Sequence, residues 1–271
     1  MKRVLRSALI IAAQAGLAFN TQAAAEKPET VNIGFQKANI FALLKYRGTL
    51  DQEFKKQGIA VHWIEFPAGP QMLEGLNIGS IDLAATGDAP PTFAQAAQAD
   101  LVYLAHSPAN PKTEAIVVPA DSPIKSVADL KGKRVALNKG SDVNYLLVTA
   151  LEQAGLIKNA EGLVPHYTFY LASRKFAETW PQIASQVVDE LGSLSTWANQ
   201  HQEEAAKIMS TSTGLPQPIW QRALARMPYG AERMTPEVFT QQQALADKFT
   251  QIGLLPVKVD IRSATWSLDK K

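Results

Sequence analysis

A chain of 271 residues with 46% hydrophobic and 19% charged side chains holds enough apolar material for one or two cored domains, which excludes a disordered or fibrous protein. Lys plus Arg number 27 against 25 Asp plus Glu, with no basic run and no aromatic-interleaved patch, so the composition argues against a nucleic-acid partner. No cysteine is present, so disulfides contribute nothing and the core must hold the fold.

In chain order, the first segment is "MKRVLRSALIIAAQAGLAFNTQAAA", residues 1–25. It has Lys2, Arg3 and Arg6, an apolar middle and a terminal Ala23-x-Ala25, the three-part layout of a secretory signal. Gln14 and Gly16 interrupt an apolar stretch too short to span a bilayer, which takes about 20 residues. Without that segment 24 basic residues face 25 acidic ones, a net charge of −1. No cysteine stands at the cleavage position to take a lipid. The expected product is a free protein outside the cytoplasm, most simply in a Gram-negative periplasm.

"TVNIGFQ" (Thr30–Gln36) alternates apolar and polar residues and predicts a strand. Ile40–Gln57 carries Phe41, Leu44, Leu50 and Phe54 at helical spacing and is closed by Gly58. "IAVHWIEF" (Ile59–Phe66) predicts a second strand, Gln71–Ile78 a short helix, "SIDLAAT" a third strand, Pro91–Ala97 a helix and "DLVYLAHS" a fourth strand. This rhythm argues for an α/β fold of parallel βαβ units with right-handed crossovers. Further on, "KSVADLKG" predicts a helical turn, "KRVAL" a strand, and Ser141 opens a helix through Ala154. Phe176–Leu191, with Pro181 in a first turn, Ser195–Met209 and Pro236–Ile252 predict structural helices; Trp197, Trp220 and Trp266 are expected to anchor the core.

In open parallel sheets, ligands bind beyond the carboxyl ends of the strands. The polar tips there are Gln36, the Ala68-Gly69-Pro70 turn and the Thr86-Gly87-Asp88 corner. Gly87 allows close backbone approach, Thr86 adds a hydroxyl, Pro90 or Pro91 fits a first helical turn, and Asp88 is placed to cap that helix. The free amides of such a turn favour an anion. A merely well-capped strand-to-helix turn fits the same spacing. Gly140-Ser141, with Asn144 one turn on, forms a second helix start of this kind, while Lys131 and Lys133 read as solvent-facing.

The segments "GFQKAN", "WIEFPAGPQMLEGLNIGSIDLAATGDAPPTFAQAA", "SPIKSVADLKGKRVALNKGSDVNYLLVTALEQAGL", "YTFYLASRKFAE" and "VDIRSATW" resemble the periplasmic aliphatic-sulfonate-binding proteins. These are substrate-binding components of ABC importers, in the wider group that serves taurine and nitrate. The resemblance implies a periplasmic-binding-protein fold of type II: two parallel-sheet lobes joined by crossover strands and closing over a small oxyanion. It implies an alkanesulfonate ligand, an inner-membrane ABC permease as partner, and a monomer. On that pattern Gln36, Thr86, Gly87, Asp88, Ser141 and Asn144 lie around the ligand, with Tyr167 a weaker addition from the return crossover (Tyr170 is its neighbour there). Fixed N–H and O–H donors suit a sulfonate's three weakly basic oxygens, and Asp88 is expected to order backbone donors rather than touch the anion.

The chain departs from the family after "ALEQAGL". Only "IKNAEG" (Ile157–Gly162) separates that helix from "LVPHYTFYLASRKFAE", where the family continues through further βα elements of the second lobe. The expected division is 26–120 plus 163–271 for the first lobe and 121–162 for a truncated second lobe. Either that remnant is a shortened cap on the first lobe, or the chain is an internally deleted copy with a damaged clamp; taurine or nitrate binding and a degenerate copy that binds nothing stand as alternatives. His62, His106, His166 and His201 show no metal-ligand spacing, and neither G-x-S-x-G nor a P-loop is present. A related family makes the thiamine pyrimidine on this fold with a cysteine-rich motif that this chain lacks. A non-enzymatic binding protein without cofactor or metal is therefore expected.

Overall fold

The computed structural model of the chain describes residues 27–110, 113–156, 166–227 and 229–268. The expected export signal, 1–25, and the Ile157–Gly162 link lie outside the described residues.

Strand β1 (Thr30–Phe35) buries Val31, Ile33 and Phe35 on one face, as its alternation predicts. It pairs in parallel with β2 (Ala60–Glu65) on one side and β3 (Leu83–Thr86) on the other. Strand β4 (Leu101–His106) does not join β3 directly. Strand β5 (Phe169–Ser173) runs antiparallel between them, and the two-residue β6 (Glu232–Arg233) closes the far edge against β4. The order is β2-β1-β3-β5-β4-β6. The α/β class holds, but the sheet is mixed, because the return segment threads into it against its neighbours.

The strands β3, β4 and β5 are apolar almost throughout because both faces are covered. Leu83, Ala85, Val102, Leu104, Tyr170 and Ala172 join one core with α1 (Ile40–Arg47), α2 (Thr49–Lys56), α7 (Pro181–Gln200), α8 (Gln202–Thr213) and α9 (Gln217–Arg226). Ala84, Leu101, Tyr103, Phe169 and Leu171 join the other, with α3 (Gly69–Asn77), α4 (Ala89–Ala96) and α10 (Pro236–Gln251). A fully buried Leu or Phe contributes about 1.5–3 kcal/mol. Of residues 113–156 only Tyr145 enters either core, so the fold's apolar support lies almost wholly outside this segment.

Local chemistry explains where the elements differ from expectation. The single helix predicted over Ile40–Gln57 is two, because Gly48 takes φ 70°, ends α1 with an N–H bond to the Leu44 carbonyl at 3.0 Å, and starts α2. The Phe176–Leu191 run is likewise divided at Trp180, between α6 (Arg174–Thr179) and α7, whose first turn holds Pro181 as expected. Ser195–Met209 is split at His201 between α7 and α8. Trp220 is buried, while Trp197 and Trp266 pack at the core's margin.

The "KRVAL" strand does not form. Residues 133–138 carry no regular structure, and Val135 and Leu137 are 37% and 38% exposed. An isolated strand has no partner for its backbone groups. Ahead of α5 (Asp142–Gln153), residues 113–141 hold one 3₁₀ turn, Val127–Leu130, with a Ser126–Asp129 capping box.

Candidate functional site

Because β1 to β4 point the same way and β5 runs back, the carboxyl ends of four strands and the amino end of β5 share one edge. At that edge a cavity of about 100 Å³ lies between the start of α1 (Ala38–Ile40), the segment after β4 (Ser107, Asn110, Thr113), the start of β5 (His166, Thr168, Tyr170) and the Met227–Tyr229 region. The turn after β1 is built by the Asn39 N–H, which donates to the Gln36 carbonyl at 3.2 Å. Asn39 then caps α1: its Oδ1 accepts from the Ala42 amide at 3.2 Å while its Nδ2 donates to the Ala85 carbonyl at 3.1 Å. The start of α1, through Ala38, Asn39 and Ile40, therefore borders the cavity. Ser107 is committed, accepting from the Thr168 amide at 2.9 Å. Tyr170 donates to the Gly230 carbonyl at 2.7 Å. Tyr229 Oη is buried without a hydrogen-bond partner, and burial pushes its phenol above the ordinary value, so it stays an O–H donor.

Beside the cavity, reached through His166, sits a cluster of acids. His166 Nδ1 lies 3.8 Å from Glu114 Oε2 and 4.0 Å from Asp88 Oδ2, and ligand atoms of Glu114, Asp142 and His166 fall within 4.8 Å of one another. Burial, then the charges of Asp142 and Glu114, push Asp88 well above the usual carboxylate range. Burial and the Asp142 charge push Glu114 up to about 8, and its proton is shared toward Asp142. Burial also raises Asp142, with His166 opposing it, and lowers His166, with Asp142 opposing that.

The seven residues singled out in the sequence come close to this edge, but none lines the cavity. Gln36 contributes its carbonyl to the turn beneath it. Thr86 is 2% exposed and its hydroxyl donates to the Gly87 carbonyl at 3.2 Å, with Gly69 packed so tightly on it that an added Cβ would come within 2.7 Å of that oxygen. At Gly87 the close approach is real, but the visitor is the chain itself: a Cβ there would stand 2.1 Å from Asp142 Oδ2. Asp88 holds the N-cap position of α4 without a side-chain cap bond, and neither of its oxygens has a side-chain hydrogen-bond partner. Its helical φ −80°, ψ −30° replaces the extended conformation a capping side chain needs, so Asp88 does not cap α4 through its carboxylate. Ser141 Oγ donates to the Asn138 carbonyl at 2.8 Å, and buried Asn144 accepts from the Gly140 amide at 3.3 Å. The Tyr167 hydroxyl turns to α10, donating to Gln241 Oε1 at 2.5 Å. Asn39, Glu114, Asp142, His166 and Tyr229 were missed. Only Asn39, a capping residue after a strand, gave a local signal.

Residues 54–190 match the NMT1/THI5-like family. A protein of Escherichia coli (strain K12) named for aliphatic-sulfonate binding is 37% identical over 291 aligned residues, covering 90% of this chain and 91% of its own. The chain belongs to the aliphatic sulfonate-binding family. Among solved structures of sulfonate-binding proteins, the alkanesulfonate-binding protein SsuA of Xanthomonas axonopodis pv. citri, bound to MOPS, superposes with a TM-score of 0.82 at 34% identity, covering 89% of this chain and 99% of that one. The periplasmic aliphatic sulphonate binding protein SsuA of E. coli gives 0.75 at 36% identity, with 89% and 93% covered. These relatives are named as sulfonate-binding proteins, one of them periplasmic, and not as enzymes. Among the described residues no helix is long and apolar enough to cross a membrane.

Proposed function

We propose that this chain is the extracytoplasmic binding component of an ABC importer for aliphatic sulfonates, carrying its ligand as a monomer to an inner-membrane permease. The observation that carries the reading is likeness along nearly the whole chain to a structure holding a sulfonate, MOPS. The strand-edge cavity supplies a fitting seat for the headgroup: the start of α1, Thr168, and the unpartnered Tyr229 hydroxyl. Gln36, Thr86, Gly87, Asp88, Ser141, Asn144 and Tyr167 act behind it as supports. Export by residues 1–25 and release without a lipid complete the reading.

The same proposal includes a shortened second lobe, 121–162, against a first lobe of 26–120 plus 163–271. An alignment of 291 positions to the E. coli relative is longer than this 271-residue chain, which supports a gap within it. So does the lack of regular structure over residues 131–138. A second reading, a copy that no longer binds, draws on one observation: the Asp142 carboxylate fills the space against Gly87. A thermal-shift screen with MOPS, short alkanesulfonates, taurine, nitrate and sulfate decides between them. A rise in Tm with alkanesulfonates and not with nitrate is expected; no rise with any anion favours the non-binding copy.

A further inference from the structure

We propose that Asp88, Glu114, Asp142 and His166 form a site for a divalent transition-metal ion, with zinc the best fit. This goes beyond sulfonate binding and stands without it. Three carboxylates and one imidazole supply four ligands of the oxygen and nitrogen type that zinc accepts, whereas magnesium and calcium require six or more oxygens. Ligand atoms of Glu114, Asp142 and His166 already lie within 4.8 Å of one another, and His166 Nδ1 stands 3.8 Å from Glu114 and 4.0 Å from Asp88. On a tetrahedral ion with bonds of about 2.0–2.1 Å, ligand atoms lie about 3.3–3.5 Å apart. Closing the cluster onto the ion takes about half an ångström at these two separations.

Two independent features point to a missing cation rather than to an ordinary ion-pair network. Asp88 is 1% exposed and neither of its oxygens has a side-chain hydrogen-bond partner, only the backbone amides of Tyr167 and of Asp88 itself leaning on them; His166 Nδ1, facing it, is also buried and unpartnered. A buried carboxylate left in that condition is costly unless something completes it. In addition, among the described residues no lysine or arginine pairs with Asp88, Glu114 or Asp142, and His166 is the sole basic group within reach of Asp88 and Glu114. Supporting contacts fix the first ligands: Gln242 Nε2 donates to the Asp88 carbonyl at 2.6 Å, and Gly87 leaves room for the Asp142 carboxylate. His166 also lines the strand-edge cavity, which gives an ion a way in.

The test is a titration of the full chain, stripped with chelator and dialysed, with Zn²⁺ by calorimetry. One saturable site per chain is expected, weakened at least tenfold in Asp142→Asn and in His166→Gln, and unchanged in His62→Gln, an exposed histidine on β2. Asp88→Asn guards against misfolding as an explanation: it should weaken Zn²⁺ binding while leaving the Tm of the stripped chain equal or higher. Absence of saturable binding, binding untouched by D142N and H166Q, loss of binding in H62Q, or Mg²⁺ competing at equal concentration would each overturn the proposal.

Discussion

Replacing Tyr229 by Phe separates stability from binding. In the ligand-free chain the Tyr229 hydroxyl is buried in the cavity wall without a partner, so its removal sacrifices no hydrogen bond and relieves an unpaired polar group. The Tm should stay level or rise slightly. On the proposed seating of the sulfonate the same hydroxyl would donate to a charged oxygen, a bond worth about 1.5–3 kcal/mol. At about 1.4 kcal/mol per factor of ten, Tyr229→Phe should weaken alkanesulfonate binding roughly 10- to 150-fold. Calorimetric titration with MOPS at neutral pH measures the affinity, and differential scanning fluorimetry the stability. An affinity within twofold of wild type refutes a headgroup seated against Tyr229. A fall in Tm of many degrees refutes the premise that the hydroxyl is unpartnered.

Three further outcomes follow from the packing and charge of the edge. Gly87→Ala brings a Cβ onto the Asp142 carboxylate and should destabilise by about 1–3 kcal/mol, a cost largely removed in Gly87→Ala/Asp142→Ala; chemical denaturation of the singles and the double gives the coupling, and no rescue contradicts the contact. Glu114, with a folded value of about 8 against an ordinary 4.5, favours folding fully below about pH 4.5 and progressively less as pH rises toward 8, because the unfolded chain releases the proton first; the Tm of stripped protein should fall over that window, and Glu114→Gln should flatten the fall. Tyr167→Phe removes the bond to Gln241 and should cost about 1 kcal/mol in denaturant unfolding with no change in sulfonate affinity, since that hydroxyl points to α10.

The first half of the fold was legible because its strands carry patterns that burial on two faces demands, and its turns carry the residues those turns require. β1 alternates, β3 and β4 are solid apolar runs, and Gly and Pro punctuate the helices between them. "KRVAL" has the same local pattern as a strand, yet pattern cannot supply neighbours, and the chain around it provides none. The return strand was located but its direction and facing were not. Strand alternation puts Tyr170 on the cavity side, while Tyr167 shares the opposite core with Phe169, so only one of the two tyrosines could serve.

The site was legible only in outline. Strand tips drew attention to Gln36 and to the Thr86–Asp88 corner, and the fold does gather them at one edge. Several of their polar groups, however, bond internally, which spacing cannot reveal: the Thr86 hydroxyl on Gly87, the Ser141 hydroxyl on Asn138, and Asn144 Oδ1 on the Gly140 amide. Glu114, Asp142 and His166 lie 28 and 24 positions apart, and their meeting depends on the path of the chain between them rather than on any local spacing. Tyr229 sits farther along still, in a loop whose own sequence marks it only as a turn.

A crystal structure of the chain with a short alkanesulfonate tests the account most directly. The sulfonate oxygens should lie within hydrogen-bond distance of Tyr229 Oη and of the amides opening α1. A headgroup seated elsewhere, for instance in the more apolar pocket of Pro70, Phe93 and Lys139, would contradict it.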